Sequence, residues 1–130
     1  MTNDKHILIA DPEAGFRFSA TVALRKAGYR ISEALSGLDA LAQIIRLHED
    51  DMTPDLLITN CGMPDLSGAD LVLALRRLDV SVPVFAIAEN LDATLLGDLA
   101  VAECVGLIEK PFPPDELVRS VDRVLGMDAA

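Results

Sequence analysis

Short apolar runs alternate along the chain with longer segments of helical periodicity. The runs are His6–Ala10, Leu56–Thr59, Val84–Ala88 and Leu107–Ile108, each with polar, Gly or Pro residues close by. Runs this short and this continuously apolar suit strands of a parallel sheet covered on both faces. Arg30–Ala34 alternates polar and apolar residues instead, which fits an edge strand. Between the runs the apolar residues recur at three and four positions, as they do on one face of a helix. Ala20, Val22, Ala23, Leu24 and Ala27 form the first such set, ended by Gly28. Leu38, Leu41, Ile44, Ile45 and His48 form the second, with Ser36 placed to cap it. Leu71, Val72, Leu75 and Leu78 form the third, and Leu95, Leu96, Leu99 and Ala102 the fourth. The fifth contains Leu117, Val118, Val121, Val124 and Leu125. Pro114 starts it, and Asp115 and Glu116 favour its positive end.

Five strands and five helices in strict alternation predict right-handed crossovers and a doubly wound parallel α/β sheet. Ligands of such sheets bind beyond the carboxyl ends of the strands, so the residues just after each strand are the candidates for function. A chain of 130 residues is the size of one domain, expected over 1–130 with its core at about 5–127. Apolar residues make up 51% and charged residues 25%, which is globular composition. Four Phe, one Tyr and no Trp imply an aliphatic core and no base-stacking surface.

Charge narrows the partners. A net charge of -10 repels nucleic-acid phosphate and anionic lipid, so a protein partner or a small ligand is expected. No apolar run approaches the about 18 residues that span a membrane, and Met1–Lys5 is polar with no apolar stretch behind it. Two widely spaced cysteines, Cys61 and Cys104, make no disulfide framework, and a cytoplasmic protein with reduced thiols is expected. No output segment follows Met127, so the chain as given is not expected to bind DNA itself.

The predicted strand ends carry Asp11-Pro12-Glu13, then Asn60-Cys61-Gly62-Met63-Pro64 with Gly68 following, then Ala88-Glu89, then Lys110-Pro111-Phe112. With these the sequence resembles the response-regulator receiver family of two-component signalling. The matching pieces are Ile7-Leu8-Ile9-Ala10-Asp11, Leu24-Arg25-Lys26-Ala27-Gly28-Tyr29, Pro54-Asp55-Leu56-Leu57-Ile58, Met63-Pro64-Asp65-Leu66-Ser67-Gly68, Pro83-Val84 and Lys110-Pro111-Phe112. Each is weak alone, but together they follow the family's order and spacing over nearly the whole chain. The resemblance implies a flavodoxin-like fold with strand order 2-1-3-4-5 and a phosphorelay role. In that family an aspartate ending the third strand accepts a phosphoryl group from a partner's phosphohistidine. Two acidic residues after the first strand help to hold Mg²⁺. A Thr or Ser ending the fourth strand and a Lys ending the fifth bind the phosphoryl oxygens, and an aromatic on the fifth strand reports the switch.

Carried over position by position, the acceptor position is Asn60. Of the acidic pair Asp11 remains and the second member is Pro12. The hydroxyl position is Ala88, the lysine is kept as Lys110, and the switch aromatic is replaced by Leu107. Four of the six positions are altered while the scaffold motifs stand, a pattern of drift or repurposing of the whole site rather than of one designed change. An amide carries no charge and is a poor nucleophile, so Asn60 forms no aspartyl phosphate. Mg²⁺ needs charged oxygen ligands. Only the vestigial positions Asp11, Asn60 and Gly62 (through its backbone oxygen) are left, with Glu13 as a remote substitute, so metal binding is expected to be weak or lost. Lys110 is expected to contact Asp11 or Glu89 and stand in for the metal's charge.

The resulting expectation is a pseudo-receiver: a non-enzymatic, phosphorylation-independent module in a two-component pathway, acting by protein–protein contact. The partner is a histidine kinase, an output protein or another receiver, and homodimerisation through the fourth helix, fifth strand and fifth helix is a further option. Two alternatives stay open: a phosphoacceptor using Asp11 or Glu13, and a small-ligand-binding flavodoxin-like domain. The loop Asp11-Pro12-Glu13-Ala14-Gly15 is acidic and lacks a glycine-rich phosphate fingerprint, which weighs against the second. Lone His6 and His48 have no partner at metal spacing, and His48-Glu49-Asp50-Asp51 is expected to be a solvated loop.

Overall fold

The computed structural model describes residues 4–127; the ends of the 1–130 span, residues 1–3 and 128–130, lie outside the described residues. Five parallel strands form one sheet in the order β2-β1-β3-β4-β5. They are β1 (His6–Ala10), β2 (Arg30–Ala34), β3 (Leu56–Asn60), β4 (Val84–Ala88) and β5 (Gly106–Glu109). The helices are α1 (Ala14–Lys26), α2 (Gly37–Glu49), α3 (Gly68–Arg77), α4 (Ala93–Ala102) and α5 (Pro114–Val124). Strands β3 and β4 are buried at every residue and β1 at all but His6, as continuous apolar runs demand. β2 is an edge strand with two exposed residues, Arg30 and Glu33.

Because side chains alternate across a strand, each run feeds two cores at once. Ile7, Ile9, Leu56, Ile58, Phe85 and Ile87 pack with Leu24, Leu117 and Val121, under α1 and α5. Leu8, Ala10 and Leu57 pack with Ile44, Leu71 and Leu75, under α2 and α3. Burying each Leu or Ile stabilises the fold by about 1.5–3 kcal/mol relative to leaving it in water. This two-sided burial holds the strands in register and so aligns their carboxyl ends.

Local chemistry starts and stops the helices. Ser36 Oγ accepts the Asp39 N–H at 3.1 Å, so the expected cap on α2 is present. Ser67 caps α3 through Asp70 N–H at 3.1 Å, and Asp92 caps α4 through Leu95 N–H at 2.8 Å. α1 ends where Gly28 takes φ of 102°, a conformation costly for other residues. A non-local cap also exists: Asp65, in the β3–α3 loop, accepts from the N–H groups of Gly37 at 3.2 Å and Leu38 at 3.1 Å. These bonds, that from Leu38 foremost, hold the Asp65 carboxyl below its ordinary range. Asp65 thereby ties the loop after β3 to the positive end of α2.

Four sequence expectations need correction. His48 and Glu49 close α2 instead of joining a loop with Asp50 and Asp51. Val22, Leu38, Leu78 and Leu96 sit on helical spacing, yet each is at least half exposed. They flank the buried stripes rather than forming them. β3 extends one residue further than its apolar run, to Asn60, and β5 runs from Gly106 to Glu109 rather than over Leu107–Ile108 alone. Thr21, not Val22, faces inward on α1.

Candidate functional site

Register brings the strand ends together. Asp11 follows β1, Asn60 ends β3, Ala88 ends β4, and Lys110 follows β5. Asp11 is 0% exposed and Asn60 2% exposed, so both polar groups must find partners inside the protein. They find each other: Asn60 Nδ2 donates to Asp11 Oδ2 at 3.1 Å. The amide turns this way because a carboxylate only accepts, and Asn60 Oδ1 is taken by the Gly62 N–H at 3.0 Å. Asp11 Oδ1 accepts the Glu13 N–H at 2.8 Å. Lys110 Nζ donates to Asp11 Oδ2 at 3.0 Å and lies 3.7 Å from Glu89 Oε1. Both of the contacts expected of this lysine are therefore present.

The knot is closed in hydrogen bonding and in charge. Each polar atom of the Asn60 amide and of the Asp11 carboxylate has a partner, and one buried carboxylate faces one ammonium. Gly68 has no side chain where a Cβ would lie 2.9 Å from the Asn60 carbonyl oxygen, which lets α3 start directly beneath the site.

Three features had no legible signal in the sequence. Lys110 Nζ sits 4.0 Å from the centroid of the Phe16 ring, over its face. Phe16 meets Phe112 edge-on, at 5.7 Å and 85°. The lysine is therefore held by a carboxylate on one side and a ring quadrupole on another. Arg17, one turn into α1, donates from Nη1 to the Asp11 carbonyl oxygen at 2.6 Å, and its Nε lies 3.4 Å from Glu33 Oε1. It places a second cation beside the β1 end. All three depend on α1 lying across the strand ends, which no local pattern reports.

The other candidates are placed as follows. Pro12 and Glu13 are exposed on the β1–α1 loop, and the Glu13 side chain makes no cap on α1. Ala88 is fully buried, and its carbonyl oxygen accepts the Lys110 N–H at 2.7 Å. The Lys110–Pro111 peptide is cis. Leu107 is 38% exposed on the sheet edge. Gly62 is exposed beside the cleft. Among the described residues no group of three or more His, Cys, Asp or Glu side chains is placed to hold a metal ion.

Cys61 adjoins the knot, and burial, with Cys104 second, pushes its thiol up to about 11. A thiol this reluctant to ionise reacts slowly at neutral pH. Alkylation of Cys61 by iodoacetamide, followed by peptide mass spectrometry, should therefore be slow at pH 7 and rise by about tenfold per pH unit toward pH 10. A fast plateau below pH 8 would contradict the burial argument. His6 bonds Ser32 Oγ at 2.7 Å and His48 bonds Thr53 Oγ1 at 2.9 Å, so both histidines have structural partners.

The comparisons with known proteins agree with this fold. A model of the response regulator receiver domain matches residues 7–122. The chain is 36% identical to the phosphate regulon transcriptional regulatory protein PhoB of Pseudomonas aeruginosa, over 93% of this chain and 52% of that protein. It is 24% identical to the chemotaxis protein CheY of Thermotoga maritima, over 92% of this chain and 97% of that one. The chain thus spans about half the length of PhoB and nearly all of CheY. A CheY-like receiver domain protein from Methanospirillum hungatei superposes with a TM-score of 0.84 at 21% identity, covering 95% of each chain. No described helix is long and apolar enough to cross a membrane. With the sheet order, the aligned strand ends and these matches in hand, the chain belongs to the response regulator receiver domain family of two-component signalling.

Proposed function

We propose that this receiver is a pseudo-receiver: a cytoplasmic, non-enzymatic module that works without phosphorylation, through contact with a protein partner. The observation that carries this reading is the double engagement of Asp11 Oδ2 by Asn60 Nδ2 and Lys110 Nζ. In it the acceptor position donates a hydrogen bond instead of presenting a nucleophilic oxygen. The donor set also suits a divalent ion poorly. Mg²⁺ would have to displace a lysine from the one buried carboxylate, and the other carboxylate facing that lysine, Glu89, is exposed to solvent. Mg²⁺ affinity is accordingly expected to be negligible.

Phosphorylation on Asp11 itself is disfavoured, because a fully buried carboxylate offers no approach to a phosphoryl donor. The Glu13 side chain is accessible and, among the described residues, has no ion pair. Ala88 lacks the hydroxyl and Leu107 the ring through which the family couples phosphate to shape. No ligand with different affinity for two states is then evident, so no population shift is expected.

The partner surface we favour is the one formed by α4, β5 and α5. Leu96 is 50% exposed, Val101 64%, Val105 49% and Leu107 38%, an apolar display along α4 and the β5 edge. A histidine kinase, an output protein, another receiver or a second copy of this chain would each bury it.

Intact-mass measurement after incubation with acetyl phosphate and Mg²⁺ tests the central claim. The expected spectrum shows the unmodified chain alone, under conditions that load a receiver retaining its aspartate. A stoichiometric adduct of one phosphoryl group, released by hydroxylamine, would overturn the proposal.

A further inference from the structure

A cavity larger than the cleft at the strand carboxyl ends lies elsewhere on the described residues. The cleft lined by Asn60, Cys61, Gly62, Glu89, Asn90 and Leu95 has a volume of about 240 Å³. At the opposite end of the sheet, between the C-termini of α3 and α4 and the segment leading into β4, lies a cavity of about 380 Å³. We propose that this second cavity binds a small organic cation: an ammonium or guanidinium group on a short aliphatic stem.

Its walls account for both halves of such a ligand. Val72, Leu75, Val80 and Ala102 line it and are almost wholly buried, giving an aliphatic floor. Asp79 and Glu103 line the same cavity from exposed positions. Among the described residues neither carboxylate has a hydrogen bond or an ion pair. The C-terminal ends of α3 and α4 both close on this region, and each brings a partial negative charge. α4 has no basic residue in its last turn.

Among the described residues the one cation lining the cavity is Arg76. Its guanidinium is already committed: Nη1 donates to the Val101 carbonyl at 3.0 Å and Nη2 to that of Ala102. Arg76 therefore offsets the end of α4 and pins α3 to it, while two carboxylates remain uncompensated. That imbalance favours a cation over an anion or a neutral ligand. The volume falls within the about 300–1,000 Å³ typical of small-molecule sites. This inference does not depend on the phosphorylation state of the domain.

Titrating the ¹⁵N-labelled protein with pentylammonium, pentanol and pentanoate, followed by amide chemical shifts, tests the proposal. Pentylammonium should give saturable shifts confined to residues near Val80–Val84 and Ala102–Glu103, with a Kd of about 1–10 mM for so small a ligand. Pentanol should bind at least about threefold more weakly, and pentanoate should not bind. The Asp79→Asn/Glu103→Gln variant should lose about fivefold in pentylammonium affinity and leave the pentanol response alone. Asn tolerates the left-handed backbone at position 79, where φ is 57°, so this variant should keep the fold. Val82→Phe, which fills the cavity with the carboxylates intact, should abolish binding of both ligands. Equal binding of amine and alcohol, shifts mapping elsewhere, or no saturable response to pentylammonium would each overturn the assignment.

Discussion

Lys110→Met should destabilise the domain by about 2–4 kcal/mol, a loss far beyond that expected at a surface lysine. The reason is the carboxylate left behind. Asp11 is 0% exposed, and among the described residues Lys110 is the ammonium paired with it, at 3.0 Å. Removing that partner strands a negative charge with two neutral donors, Asn60 Nδ2 and the Glu13 N–H. Arg17, bonded to the Asp11 backbone oxygen, softens the penalty without cancelling it. Methionine keeps an unbranched stem and puts a polarisable sulfur near the Phe16 ring in place of the ammonium, so lost packing contributes little. Thermal or urea unfolding should show the loss as a Tm lower by roughly 10 °C for a chain of this size. A double variant with Asp11→Asn added removes the orphaned charge and keeps one oxygen to accept the Glu13 N–H, the new amide NH₂ then facing Asn60. It should recover at least about 1 kcal/mol, giving a positive coupling energy in the cycle. A Lys110→Met variant within about 0.5 kcal/mol of the parent would mean that the pair is a surface contact and the knot is not closed.

The fold was largely legible because its signals are local. Continuous apolar runs marked β1 and β4 to the residue, and Ser36 announced the cap of α2. Where the reading failed, a periodic apolar residue met a helix whose buried stripe is narrower than the pattern. Leu38 and Leu96 are spaced for the core, but α2 and α4 bury mainly small residues and one large aliphatic each: Ala40 and Ile44 on α2, Leu99 and Ala102 on α4. The site divided in the same way. That Asp11, Asn60 and Lys110 share a cleft follows from strand ends in a parallel sheet, so their meeting was foreseeable. That Asn60 turns its amide nitrogen to Asp11, or that Phe16 lies beneath the lysine, depends on the pose of α1 and of the β3–α3 loop. The Asp65 cap on α2 escaped notice for a like reason: its partners are 27 or 28 residues away in the chain.

Restoring the missing carboxylates should convert the same cleft from a salt bridge into a metal site. Asn60→Asp alone replaces a donor 3.1 Å from Asp11 Oδ2 with a second acceptor. Two unit charges about 4 Å apart repel by roughly 4 kcal/mol at an effective dielectric of 20, of which the adjacent lysine offsets part. The single variant should therefore lose about 1–3 kcal/mol in a metal-free buffer. Adding Pro12→Asp raises the carboxylates at positions 11, 12 and 60 from one to three, and the apo form should weaken further. Divalent ions then reverse the loss, because they bind the folded state alone. At 100 times the Kd, Mg²⁺ returns about 2.7 kcal/mol, so the Tm of the double variant should climb steeply with Mg²⁺ concentration. The parent's Tm should stay flat over the same range, as the proposed substitution of Lys110 for the ion requires. The contrast between the two chains is the informative quantity: it removes general salt effects and reports the cleft alone. If the parent responds to Mg²⁺ as strongly as the double variant, Lys110 has not displaced the ion, and the case for a phosphorylation-independent domain falls with it. If neither responds, the loops carrying positions 12 and 60 no longer converge closely enough to share a cation. In that event the change in this receiver reaches past its side chains into the backbone that once aimed them.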